Sequence, residues 1–280
     1  MIAYFFYRIA YFFATVLPLG LAYRVAIALS YLKYYISPRD RKAVVGNLLR
    51  ILPPEEHSRV NRYAQKVFIN FGKYMIEFFR IKYLTKEDIG RRIFIRGIGH
   101  IQAGLERGKG VIVVTAHLGN WELGGVCMAL LNYPFVAVAL PHRHPRVNAF
   151  FNRQRERIGV TVVPSVGVAL RKIFASLKDN KIVALLGDRV LSGTGQMMDF
   201  LGSRKLIPKG PAVLAVKTGA AIVPGFVLRD EQDRQVIEFL PPFPEGLTED
   251  EYMSSCTQII EKKIRENPTQ WLMFREFWKE

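Results

Sequence analysis

The stretch VIVVTAHLGNWELGG, Val111 to Gly125, holds an imidazole and a carboxylate five positions apart, His117 and Glu122. They sit where the chain changes character: an apolar, β-branched run precedes His117, and a helical pattern begins after Asn120. An imidazole at such a point can take a proton at neutral pH. A carboxylate beside it can fix its tautomer and steady the imidazolium. On an unbroken helix, side chains five apart diverge by roughly 140°, but a turn between them can bring the carboxylate back. Gly119 permits that turn, Asn120 can cap the helix or meet a ligand, and Glu122 falls in the first helical turn. The dipole there favours a carboxylate without any catalysis, and a histidine at a strand end can be simple packing. The expectation is a dyad, with His117 as general base and Glu122 as the group that orients it.

The elements around this seam are those of an α/β sheet protein. Short apolar runs, RIFIRG, GVIVVTA, FVAVAL, VTVVP, IVALLG, AIVPGFVL and QVIEFL, predict strands. Helical spacing is expected near Asn120–Leu131, Pro145–Ile158, Val166–Lys178, Lys209–Thr218 and Glu249–Glu266, and over a long amphipathic segment from Glu55 to Leu84. Alternation of this kind predicts a mostly parallel central sheet flanked by helices. Ligands of such sheets bind at the carboxyl ends of the strands. His117 lies at one such end and Asp188, which follows KIVALLG, at another. Asp188 reads either as a structural or acceptor-positioning group or as the cap of a Gly-Asp turn.

The chain has 280 residues, half of them apolar, and a formal charge of +16. An excess of that size attracts anionic lipid, an acidic carrier protein or nucleic acid. The basic residues are scattered and no nucleic-acid motif accompanies them, so membrane surface and acidic partners come first. Residues 1–36 are apolar and aromatic, interrupted by Arg8, Arg24 and Lys33. The charge-free run from Ile9 to Tyr23 covers about 22 Å as a helix, short of the ~30 Å hydrocarbon core, and Pro18 and Gly20 disfavour one straight span. Residues 1–36 therefore read as a membrane-anchoring segment that lies in the interface or crosses shallowly, followed by the basic cluster PRDRK; the alternative is a pair of core helices. Residues 37–280 form the rest, helical to about residue 90 and α/β from 91 to 280. Cys127 and Cys256 lack paired spacing and read as small core residues of a reduced protein. His142 and His144 in PHRHP have no third ligand nearby and make a poor metal site; Arg143 between them could touch phosphate.

HLGNWE together with AVVGNLLRILP, NFGKYMIEFFR, RHPRVNAFFNRQRERIGVTVVP, ALLGDR, MMDFLGSRKLIPKGPAVLAVKTGAAIVPGFVLR and NPTQWLMFREFWK resembles, in order and nearly end to end, the lipid A biosynthesis acyltransferases. These are the late-acylating branch of the lysophospholipid acyltransferase superfamily, which also includes phosphatidylinositol mannoside acyltransferases. The resemblance implies a glycerolipid acyltransferase-like α/β fold and transfer of a fatty acyl group from an acyl thioester to a hydroxyl of a lipid A precursor or related glycolipid. The thioester would be carried by acyl carrier protein or CoA, with no cofactor or metal. It implies catalysis by His117 and Glu122, with Arg155, Asp188, Arg189 and Asn120 as substrate-binding or oxyanion candidates. It also implies work at the cytoplasmic face of the inner membrane, on anionic lipid. A phosphatidylinositol mannoside or lysophospholipid acceptor, or water in a thioester hydrolase, would use the same chemistry.

Overall fold

The computed structural model describes residues 2–165, 169–190 and 195–279. The N-terminal segment is broken in two, α1 (Ile2–Val16) and α2 (Leu19–Ile36). The break falls at Pro18, which offers no amide hydrogen to continue α1 and opens α2. α3 (Pro38–Ile51) begins on a proline in its first turn. The expected helix from Glu55 to Leu84 is realised as α4 (Val60–Arg80), flanked by 3₁₀ segments at Pro54–Arg59 and Ile81–Tyr83. α2 lies on α4 through Ala22, Ala26, Ser30 and Tyr34, one side of the helix at four-residue spacing. The approach is close: a Cβ on Gly72 would stand 2.4 Å from Ser30 Oγ and 3.2 Å from the Ala26 carbonyl oxygen.

The α/β part follows as β1 (Ile93–Arg96), α5 (Ile98–Glu106), β2 (Val111–Thr115), α6 (Trp121–Leu130), β3 (Phe135–Ala139), α7 (Pro145–Glu156), β4 (Thr161–Pro164), α8 (Ala169–Lys178), β5 (Ile182–Leu186), β6 (Gly195–Phe200), β7 (Ser203–Pro208), α9 (Gly210–Thr218), β8 (Ala221–Arg229), β9 (Gln235–Phe239) and α10 (Glu249–Glu266). Seven strands form one sheet in the order β1-β9-β8-β2-β5-β3-β4. β8 and β9 pair antiparallel and the other neighbours parallel, as the alternating pattern predicts. β2 lies between β5 and β8, and all five of its residues are buried. Its alternate side chains feed two cores. Ile112 and Val114 pack with α3, α8, α9, α10 and the C-terminal segment, while Val111 and Val113 pack with α6, α7 and the end of α4.

Two elements depart from the sequence reading. α5 was not expected, because IGHIQAGLERG carries glycines that depress helix propensity. The β6–β7 hairpin was not expected either: its turn is Leu201-Gly202, and Leu201 takes φ +52° where Asn or Asp is the usual signal. Residues 166–168, where the predicted helix before Lys178 begins, lie outside the described residues. Among the described residues, no helix is long and apolar enough to cross a membrane. α1 and α2 nevertheless leave large apolar side chains in the open, with Phe5 and Phe6 each 64% exposed and Ile36 69%.

Candidate active site

β2 and β5 are adjacent parallel strands with Thr115 opposite Leu186. Two residues beyond that pair lie His117 and Asp188, so strand register alone brings them together across a separation of 71 in sequence. His117 Nδ1 stands 2.9 Å from Asp188 Oδ1, and the His117 amide donates to Asp188 Oδ2 at 3.1 Å. Trp271 Nε1 donates to the same Oδ2 at 3.0 Å. The loop is clamped by its main chain as well. Leu272 N donates to the His117 carbonyl at 2.8 Å, Gly119 N to the Gln270 carbonyl at 2.8 Å, and Asn120 N to the Val227 carbonyl at 2.9 Å. Gly119 takes φ +65°, and a Cβ there would lie 1.9 Å from the Val227 oxygen, so this turn requires glycine.

Asp188 is fully buried. Burial alone would raise its carboxyl, but the imidazole it faces and the hydrogen bonds from His117 and Trp271 hold it below the ordinary aspartate value. A carboxylate at Nδ1 places the ring hydrogen on that nitrogen and leaves Nε2 with a lone pair. Among the described residues, Nε2 meets no hydrogen-bond partner.

This corrects the expected dyad. Glu122 does not lean on the imidazole. α6 starts at Trp121 and projects Glu122 from its first turn toward α7, where Arg155 takes both carboxylate oxygens, Nε to Oε2 at 2.8 Å and Nη2 to Oε1 at 2.5 Å. Arg155 Nη1 also donates to Asn152 Oδ1 at 3.1 Å. Desolvation opposes the guanidinium charge, yet Glu122 more than compensates and Arg155 is held above its ordinary value. Asn120 fulfils its capping role, accepting from Leu123 N at 3.1 Å. Its Nδ2 turns away from the crevice and donates to Glu77 Oε2 at 2.7 Å.

Glu77 was not singled out in the sequence, nor was Trp271. On α4, Glu77 accepts from Tyr23 of α2 at 2.6 Å, Arg229 of β8 at 2.6 Å and Gln235 of β9 at 2.8 Å, besides Asn120. One carboxylate thus ties the N-terminal helices to the sheet and to the loop behind His117. No local pattern announces it, because its partners are 43 to 158 residues away.

His117 and Glu122 border a cavity of about 580 Å³. Part of its wall is apolar, including Val126, Phe135, Phe151 and Val160; Arg143, Arg189 and Arg275 are basic residues of the wall beside the paired Arg155 and Glu122. His117 is in this lining, whereas Asp188, which holds its Nδ1, is not. Thr115, two residues before His117, is also in the wall, and its Oγ1 is buried with no hydrogen-bond partner among the described residues. The ring of His142 lies over Phe151 at 4.5 Å, and burial together with Arg155 lowers its basicity. No cluster of three or more His, Cys, Asp or Glu among the described residues could hold a metal ion. Cys127 and Cys256 are core residues whose thiols burial pushes up to about 12, which removes them as nucleophiles at neutral pH.

At the carboxyl edge of a mostly parallel α/β sheet, an imidazole backed by a buried carboxylate thus borders a cavity part apolar and part cationic. The sequence profile of the bacterial lipid A biosynthesis acyltransferases matches residues 1–280, and the chain belongs to that family. It is 28% identical over 241 residues to the phosphatidylinositol mannoside acyltransferase of Mycolicibacterium smegmatis, covering 83% of this chain and 77% of that protein. The phosphatidylinositol mannoside acyltransferase of Mycobacterium tuberculosis is 32% identical over 160 residues, 55% of this chain and 51% of that protein. The lipid A biosynthesis palmitoleoyltransferase of Escherichia coli K12 is 24% identical over 237 residues, covering 83% and 76%.

Proposed function

We propose that the protein moves a fatty acyl group from an acyl thioester to a hydroxyl of a membrane glycolipid. The observation that carries this reading is the pair His117–Asp188, with His117 bordering a cavity whose wall is largely hydrocarbon. Nε2 takes the proton of the acceptor hydroxyl as its oxygen attacks the thioester carbonyl. Asp188 steadies the imidazolium so formed. The tetrahedral intermediate collapses, the carbon–sulfur bond breaks, and the imidazolium returns its proton to the leaving thiolate. Transfer is direct, with neither an acyl-enzyme nor a cofactor.

The developing oxyanion needs a donor. Thr115 offers a buried hydroxyl with no hydrogen-bond partner among the described residues, two residues from the base, and Arg189 and Arg275 add positive potential from the same wall. Glu122 and Arg155 brace the cavity between α6 and α7. The acyl donor is acyl carrier protein or CoA, both acidic and suited to the +16 charge. The acceptor is a lipid A precursor or, as similarity to the mycobacterial relatives favours, a phosphatidylinositol mannoside.

Residues 1–36 hold the enzyme on the cytoplasmic leaflet. The groove of about 810 Å³ between α1, α2 and α4, lined by Phe13, Leu17, Leu29, Phe71 and Met75 among others, gives lipid tails an apolar seat. The test is mass spectrometry of lipids from cells lacking and then overproducing the protein, with purified enzyme given labelled acyl thioester in parallel. Labelled glycolipid formed only with added acceptor is the expected result; free fatty acid formed without acceptor would instead establish a hydrolase.

A further inference from the structure

The face of α1 turned toward α7 carries a second feature that acyl transfer does not use. Tyr4, Arg8 and Tyr11 are spaced four and three apart on α1, and Arg146, Phe150 and Arg153 four and three apart on α7, continued four residues on by Arg157 at its C-terminal cap, so each set forms one stripe. The stripes face each other. Tyr11 meets Phe150 edge-on at 5.5 Å, and Tyr7 meets Phe151 at 5.2 Å. Beside these rings is a recess of about 300 Å³ lined by Tyr4, Arg8, Tyr11, Lys82, Arg146, Phe150, Arg153, Gln154 and Arg157. Lys82 enters from beyond α4, its Nζ 5.3 Å from the Tyr11 ring centre and 4.6 Å from that of Tyr83.

Arg146 aside, the lining holds four cationic side chains, Arg8, Lys82, Arg153 and Arg157, and no carboxylate. Like charges gathered around one recess repel one another. An arrangement of this kind calls for a counter-anion. Gln154 points the same way: it is 3% exposed, and its Oε1 has no hydrogen-bond partner among the described residues. A half-turn of that amide presents its NH₂ group to an anion. The place also fits a lipid. Arg8 shares its side of α1 with Phe5 and Phe12, exposed by 64% and 58%, which puts the recess beside the apolar stripe that enters the interface.

We propose that the recess formed by Arg8, Lys82, Arg153, Gln154 and Arg157 binds the phosphate of an anionic phospholipid headgroup, a membrane-docking site separate from the cavity at His117. This rests on the membrane reading above. The test uses full-length protein and vesicles of phosphatidylcholine, alone or with phosphatidylglycerol. The variant R153Q/R157Q should bind the anionic vesicles roughly ten- to thirty-fold more weakly, the loss expected for two lipid-paired cations, and should bind the neutral vesicles as the wild type does. R171Q/K172Q on α8, with the same change in charge at an exposed pair, should change anionic binding about twofold or less. Arg8→Gln, on the opposite wall, should weaken anionic binding in the same direction and serves if the α7 pair lowers the unfolding temperature.

Short-chain phosphatidylglycerol below its micelle concentration should stabilise the wild type against heat and leave R153Q/R157Q unchanged. Equal stabilisation by inorganic phosphate would overturn the lipid as the source of the anion. Equal anionic binding by R153Q/R157Q and R171Q/K172Q would overturn the recess while leaving membrane association standing. Wild-type protein that binds no vesicle at all would overturn both.

Discussion

Asp188, fully buried, and Glu122, largely covered, are carboxylates beside the same loop, yet their partners differ in kind. Glu122 faces a guanidinium that is always charged, and both its oxygens are committed to that fork. Asp188 faces an imidazole, an indole and a main-chain amide, none of them permanently charged. The charge of Glu122 is therefore cancelled in every state of the enzyme. The charge of Asp188 is fully met only when His117 becomes an imidazolium. A carboxylate in the second situation favours proton transfer to the ring; one in the first fixes structure. Under the proposed mechanism this difference gives Asp188 the proton work and leaves Glu122 to brace α6 on α7.

The largest effect that would break this comparison belongs to His117. H117A should lower kcat/KM for acyl transfer by about a thousandfold or more, since the base is removed outright, with an unfolding temperature close to wild type. Retained activity in a labelled-thioester assay would end its role as base. D188N comes next. An asparagine amide can donate to Nδ1, which moves the ring hydrogen to Nε2 and leaves that nitrogen without its lone pair. A loss of about 10²–10⁴ in kcat is expected, with KM little changed.

E122Q sharpens the comparison from the other side. It leaves the Arg155 guanidinium buried without its counter-charge and should cost roughly 3–5 kcal/mol of stability, read from denaturant unfolding. The double variant E122M/R155M should cost less than E122Q alone, because no buried charge is left over. If E122Q instead lost activity as H117A does at unchanged stability, the two carboxylates would have to exchange roles. T115V is expected to lower kcat about 10- to 100-fold without moving KM, the signature of an interaction made only in the transition state.

The strands were legible because β2, β5 and β8 are buried apolar runs bounded by turn residues, and the seam at His117 because its elements change over a few positions. The imidazole's partner was not legible from HLGNWE. The only carboxylate within that short span is Glu122, whereas the true partner is set by the register of β2 against β5, 71 residues on. Asp188 could still be placed at the correct sheet edge, because it follows β5 as His117 follows β2. Glu77 and Trp271 lie in stretches that carry the family resemblance, NFGKYMIEFFR and NPTQWLMFREFWK, but neither residue type points to its partners. A glutamate in mid-helix looks like a solvated face until Tyr23, Asn120, Arg229 and Gln235 converge on it. The N-terminal segment divided between its two readings: α2 buries a stripe of mostly small residues on α4, while the other faces of α1 and α2 keep their large apolar side chains exposed.

The smallest expected effect concerns acid stability, and it tests whether Asp188 is held ionised as its partners imply. Its carboxyl lies below the ordinary value in the folded protein. A group depressed in this way binds more protons when the chain unfolds. Its contribution is therefore fully present above the unfolded aspartate value of about 4, and is lost as pH falls from there through the folded value. In urea titrations the wild type should lose stability over that acid window more steeply than D188N, which has no proton to take up at this position. W271F removes one hydrogen bond to Oδ2 and should cost about 1 kcal/mol at neutral pH. It should also weaken the acid dependence without abolishing it, because the imidazole remains the stronger influence. Identical acid profiles for wild type and D188N would mean that Asp188 is not held ionised against His117, and the contrast with Glu122 would lose its basis.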